Sequence, residues 1–459
     1  MENSLQSYAL PSASASFVNK YTNVLMLFFP ITTFVLAPSV PGSTIINVLS
    51  ALLFGLIPFC SLGGAKGRFY TELAYFFGVI LLLSFCSQFI NLVLNLKLVN
   101  TILLNNKKNL TKTFYRPSHI TQSITLIVGF IIYAYVKYFS TEKIINYIYW
   151  GLRLLCIYGL YEFLLYMLTG QNGDFVVNRT FGEGEKSASL FQTLSLGGIG
   201  MMRIKSYTGE PSMFVFTVFP FWVLTFGLNR KFDQLLMLGC LILTFSTTAY
   251  MCMILFYSCW IIYKRNFTIF YYISILIIVF CLVLQLNAFK HLLDSMYNFI
   301  FVGKLGGESS SSQQRSGAFT EHLFYWSTLN PLNQAFGIGF GYVRSTDFFS
   351  TLIVNNGLVG LIVFTWFTLK NIGLKIASPI ISLCYKLGLV FVYLIMMASV
   401  PEFGYPSLWI YIALGFVIKH MKFETVNTSE IVNNNVLSEN IGMKPVLTGI
   451  APAGKQIAR

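Results

Sequence analysis

The sequence predicts an all-α, polytopic membrane protein with about twelve transmembrane helices, carrying two long external loops. Three observations carry that expectation. Of 459 residues, 55% are hydrophobic and 10% are charged, where a soluble domain has about 25% charged residues. Mean hydropathy is +0.66, so lipid must solvate most of the chain. Apolar runs long enough to cross ~30 Å of hydrocarbon follow one another along most of the sequence.

In chain order the spans are expected at 22–36, 45–62, 73–94, 120–138, 144–168, 213–228, 233–246, 247–263, 268–287, 349–369, 380–400 and 407–418. The first follows Lys20 and lacks the small-residue exit of a cleavable signal, so it reads as an uncleaved anchor. The seventh and eighth are short and meet at "STTAY", as a bent pair or as one broken helix. With the N-terminus in the cytoplasm, the inside loops hold Lys66/Arg68, Lys137/Lys143, Arg230/Lys231, Lys264/Arg265 and Lys370/Lys375, and the tail starts with Lys419/Lys422. That distribution follows the positive-inside rule. One stretch violates it, with Lys97, Lys107, Lys108, Lys112 and Arg116 outside. Either it is an amphipathic segment on the outer leaflet, or the span count shifts by one before Ile120.

Residues 1–420 thus form one transmembrane domain with external loops at 169–212 and 288–348, and 421–459 a disordered cytoplasmic tail. Both loops exceed what a hairpin needs, and loops of that length tend to be functional.

Several chemistries are excluded. The eight cysteines sit in apolar runs without a CxxC pair, and the four histidines are scattered, so no metal site is written. The net charge of +14 flanks spans or lies in the loops, with no basic face for nucleic acid. "RTFGEGEKS" fails as a phosphate-binding loop because Glu185 precedes the lysine. "GIGFG" lacks the spacing of a dinucleotide fingerprint.

The informative blocks lie at the ends of the long loops. In "RIKSYTGEPSMF", Arg203 and Lys205 precede a helix start, with Pro211 suited to its first position and Glu210 at its N-terminus. This is an interfacial cap with snorkelling cations, or a site in which a cation grips phosphate and the carboxylate takes a proton. In the second loop, "GGESSSSQQRSGAF" reads as a flexible linker carrying Arg315. Gly337, Gly339 and Gly341 then lead into Arg344 and Asp347 at another helix N-terminus. Such glycines let a backbone approach a ligand closely, or merely pack on neighbouring helices. Within the fifth span, Arg153 and Glu162 face opposite ways, and each needs a partner on another helix or an interface.

Together these blocks, "R…GEPS…F", "QQRSGAF", "NPLNQAFGIGFG" and "NNGLVGLIVF", resemble the O-antigen polymerase (Wzy-type) family and, more distantly, its O-antigen ligase relatives. The resemblance is strongest over 203–364. It implies a GT-C-like layout and a metal-independent glycosyltransferase of the bacterial inner membrane, with no cofactor and a site facing the periplasm. Such enzymes polymerise undecaprenyl pyrophosphate-linked repeat units into O antigen, capsule or exopolysaccharide, beside a flippase and a chain-length regulator. Carried onto this sequence, it makes Arg203 and Arg315 the first choices for holding the pyrophosphate, with Arg344 and Lys205 behind them. Glu210 is then the first choice for general base and Asp347 the second, and Gly337, Gly339 and Gly341 line the substrate. Two departures are visible. An Arg followed eleven residues later by Gly is missing, since Arg203 leads to Phe214 and Arg315 to Trp326. Thr346 stands where ligases carry a histidine, which favours polymerase over ligase. A flippase or transporter would show short loops and charges around a central cavity.

Overall fold

The structure, a computed structural model, describes residues 13–37, 42–105, 110–175, 193–196, 199–265 and 310–421. The expected span 268–287, most of "RTFGEGEKS" and its loop, Lys107, Lys108 and the tail lie outside these residues.

The protein is mostly helical. Among the described residues, five helices are long and apolar enough to cross a membrane: α3 (Gly64–Val93), α4 (Pro117–Phe139), α5 (Ile144–Thr169), α11 (Phe348–Leu369, continued by a 3-10 turn to Gly373) and α12 (Pro379–Ser399). Three apolar segments are shorter: α2 (Ile45–Leu56, extended by a 3-10 turn to Phe59), α6 (Pro211–Gly227) and α13 (Pro406–Lys419). The first expected span appears earlier than expected, as α1 (Ala13–Phe28), because Pro30 stops the helix. The seventh and eighth are separate helices, α7 (Lys231–Leu243) and α8 (Thr247–Lys264), broken at Phe245, whose φ of +47° no helix accepts. The thirteen residues of α7 extend only ~20 Å, so length alone does not establish the expected twelve spans.

Two other expectations are corrected. The all-α reading gains a two-stranded antiparallel hairpin, β1 (Thr193–Leu196) and β2 (Ile199–Met202), directly before Arg203. The expected linker around Arg315 is instead helix α9 (Ser310–Thr328). Ser, Gln and Ala tolerate a helix wherever tertiary contacts support one.

The core forms around α6. Its residues from Pro211 to Thr225 are all buried, as expected of a helix that is apolar on every side. α6 packs chiefly against α12 and α7, α1 packs on α5, and α4 on α13. At the α6–α12 contact, Gly388 leaves room for the Tyr411 hydroxyl of α13 and the Pro220 carbonyl of α6.

Connections expected outside form two tied groups. Thr32 and Thr33 both donate to the Tyr207 carbonyl (3.1 Å each), and Arg203 reaches the end of α7. The irregular 95–105 stretch pairs with the glycine loop through a Leu104–Val343 bridge and the bonds Asn105 N to Tyr342 O (2.9 Å) and Arg344 N to Leu103 O (3.0 Å). Leu96, Ile102 and Leu104 are buried with Ile338, Tyr342 and Val343 in one cluster, whereas Val99, Phe114 and Tyr115, between Lys97 and Arg116, stay exposed. Arg116 is 2% exposed, bonded to the Lys112 and Asn105 carbonyls and set over the Tyr342 ring. Its cation is absorbed by the fold. A reporter fused at Ser310 is expected to register outside and one at Lys375 inside; the reverse result overturns this orientation.

Candidate functional site

Arg203 leaves β2 and precedes a one-turn 3-10 helix, Ser206–Thr208. Its Nε donates to the Thr244 carbonyl (2.9 Å) at the C-terminal end of α7, where the helix dipole favours a cation. Arg315 of α9, Tyr250 of α8 and Glu210 all lie within electrostatic reach of this guanidinium. Three stretches distant in sequence, 203–210, 244–250 and the one holding Arg315, thus contribute to one spot. Burial, followed by the Arg315 charge, pulls the Arg203 guanidinium down to about 10. It still carries its charge at neutral pH.

Two cations held this close repel one another. Glu210 offsets part of that field. It occupies the N-cap position of α6 in extended conformation (φ −139°, ψ 147°), but its side chain does not cap the helix. Its Oε2 accepts from the Ser212 hydroxyl at 3.2 Å. The carboxylate therefore sits half-buried at the start of α6, within electrostatic reach of Arg203. Chemically, such a site holds an anion with two or more charges and keeps a base next to it.

The other sequence-derived candidates lie elsewhere or are occupied by the fold. Lys205 pairs with Asp174 at 2.6 Å, with side chains 1% and 4% exposed, so it anchors the first loop. Glu162 completes that buried group: it is fully buried and its Oε2 accepts from Ser206 N at 3.0 Å. Arg153 finds its partner in Asp233 of α7, which Arg230 also contacts. Arg344 pairs with Glu402 at 2.5 Å, joining the start of α11 to the 400–405 connection.

Asp347 is the N-cap of α11. Its Oδ1 accepts from Ser350 N (2.7 Å) and its Oδ2 from the Ser350 hydroxyl (2.6 Å). Such a cap contributes ~1 kcal/mol to the helix, and its oxygens are committed to that task. His322, fully buried, accepts from Leu103 N (3.1 Å) through Nε2 and meets the Ala318 carbonyl through Nδ1. It is a structural tie.

The glycine loop answers to packing. After the short helix α10 (Pro331–Phe336), Gly337 turns at φ +74° and lies against the backbone of Asn355 and Asn356. Gly357 breaks α11 at φ +64° and lies against the Ala335 carbonyl. The break frees helix carbonyls, and the loop takes them: Ile338 N donates to Val354 O (3.0 Å) and Gly339 N to Asn355 O (2.9 Å). Asn355 then clamps Val343 through both its backbone groups, at 2.8 and 2.7 Å. Gly341 lies against Gln122 and the Ser118 carbonyl. The close approach these glycines permit is to the chain itself: backbone at Gly337 and Gly357, and side chains of Gln88, Tyr342 and Gln122 at Gly339 and Gly341.

The sequence reading missed Tyr250 and Asp174. Tyr250 was visible only as part of a helix break, and no spacing connects Asp174 to Lys205, which lies 31 residues away.

Compared with known proteins, the chain matches no family model, no curated protein and no solved structure.

Proposed function

We propose that the protein is a membrane glycosyltransferase that polymerises undecaprenyl pyrophosphate-linked oligosaccharide repeat units at the outer face of the bacterial inner membrane. The observation that supports this reading is that Arg315, from a segment more than a hundred residues away, lies within electrostatic reach of Arg203, with Glu210 also acting on that guanidinium. A pair of guanidinium groups suits a diphosphate leaving group. Arg offers a planar fork to phosphate oxygens and holds its charge without a metal. As the glycosidic carbon–oxygen bond to the diphosphate breaks, negative charge grows on the leaving oxygens, where these guanidinium groups stabilise it. Glu210 accepts the proton of the attacking sugar hydroxyl as the new bond forms.

The experiment is complementation. In a polymerase-null strain making the cognate repeat unit, the gene is expected to restore a ladder of long glycan. Restored translocation with single repeat units would overturn the reading in favour of a transporter, and single-step transfer to a lipid core in favour of a ligase.

A further inference from the structure

On the other flank of α11 lies an apolar groove with no part in the chemistry above. It has a volume of about 240 Å³ and runs between α3, α4 and α11, from Phe340, Leu352 and Phe403 at the loop end to Glu72 and Lys370 at the opposite end. Leu352 and Lys370 are eighteen residues apart on one helical segment, ~27 Å at 1.5 Å per residue. Its walls are aromatic, including Phe76, Phe130 and Phe367, and Tyr75 and Trp366 stand at its rim 74% and 66% exposed. Trp and Tyr in such positions mark the level of lipid headgroups.

The charges at the Lys370 end are unequal. Glu72 is bonded by Lys137 (2.7 Å), Tyr138 (2.5 Å) and Tyr133 (3.2 Å). The Lys370 ammonium lies within electrostatic reach of Glu72 and over the faces of Phe367, Trp366 and Tyr133, at 4.3, 5.3 and 6.0 Å, with no side-chain hydrogen bond among the described residues. Arg68 lies within electrostatic reach of Tyr138. Counting Arg68, Lys137 and Lys370 against Glu72, this end carries two net positive charges.

We infer that this groove binds an anionic phospholipid of the leaflet opposite the external loops, its phosphate at Lys370 and one acyl chain along α11. An acyl chain reaches about half of the ~30 Å hydrocarbon, so it fills the half of the groove nearer Lys370. The net positive end selects an anionic headgroup over a zwitterionic one. This site is independent of the glycosyl-transfer reading.

The test uses the full-length protein, purified in detergent with equimolar phosphatidylglycerol and phosphatidylethanolamine, with bound lipid read by native mass spectrometry. Wild type is expected to retain phosphatidylglycerol preferentially. Lys370→Gln should cut that preference about fivefold, the ~1 kcal/mol that one cation contributes to anionic-lipid attraction, while Lys370→Arg keeps it. Val363→Trp, which fills the groove, should lower retention of both lipids. Equal preference in wild type and Lys370→Gln would overturn the assignment, as would a polyprenyl phosphate found in place of phospholipid. Thermal melting of each variant identifies one that fails to fold, and Lys370→Arg then decides the headgroup contact.

Discussion

Arg203→Ala and Arg315→Ala are each expected to abolish the long-glycan ladder in the complementation assay, with membrane levels of the protein unchanged. Removing one preorganised group that stabilises transition-state charge costs on the order of 10²–10³ in rate, enough to leave single repeats. The folded structure gives a second readout. The Arg315 charge acts against that of Arg203, so Arg315→Ala should leave the ligand-free protein at least as stable as wild type. Inorganic diphosphate should raise the melting temperature of wild type and have little effect on either variant. The pH dependence follows from the sign of the shift. Because burial and Arg315 bring Arg203 down to about 10, its cation is intact at neutral pH and lost as pH rises through that value. Diphosphate stabilisation should fade there in wild type. Ladders of normal length from both alanine variants would remove this pair from the site.

Gly357→Val is expected to remove the folded protein from the membrane. The position requires φ +64°, and a Cβ there meets the Ala335 carbonyl. Left-handed backbone costs a non-glycine residue roughly 1–3 kcal/mol, and a β-branched side chain is the least tolerant. The steric overlap adds to that cost, because the opposing atoms are backbone and cannot rotate away. Straightening α11 would withdraw the Val354 and Asn355 carbonyls from Ile338 and Gly339, releasing the glycine loop. Gly239→Ala in α7 has nothing within 4 Å and is the matched control. A Gly357→Val protein with wild-type level and melting temperature would show that the break in α11 does not hold the loop.

The two predictions separate two kinds of glycine- and arginine-rich motif that look alike in the sequence. "NPLNQAFGIGFG" and "NNGLVG" share a polar, glycine-punctuated composition with ligand loops. Only the structure reveals that Asn91, Asn333 and Asn355 spend their amides on loop backbone groups and on one another. Buried backbone polar groups must be paired, and an irregular loop inside a helical bundle has no helix of its own to pair them. The asparagines supply those partners. In the same way, Arg116 and Lys205 read as free cations in the sequence and become buried ties.

By itself the sequence determined the apolar helices that suit a membrane, the long segments between apolar runs and their arginines, and the clustering of lysines beside the runs. Those are properties of composition and local period, set by lipid solvation and by the cost of moving charge across it. Only the tertiary structure decided which charges meet. It brought Arg203 to Arg315 and Glu210, sent Lys205 to Asp174 and Arg344 to Glu402, and committed Asp347 to its own helix. Charge pairing falls off over a few ångströms, and distances of that order between segments a hundred residues apart are fixed by helix packing, which leaves no trace in spacing along the chain.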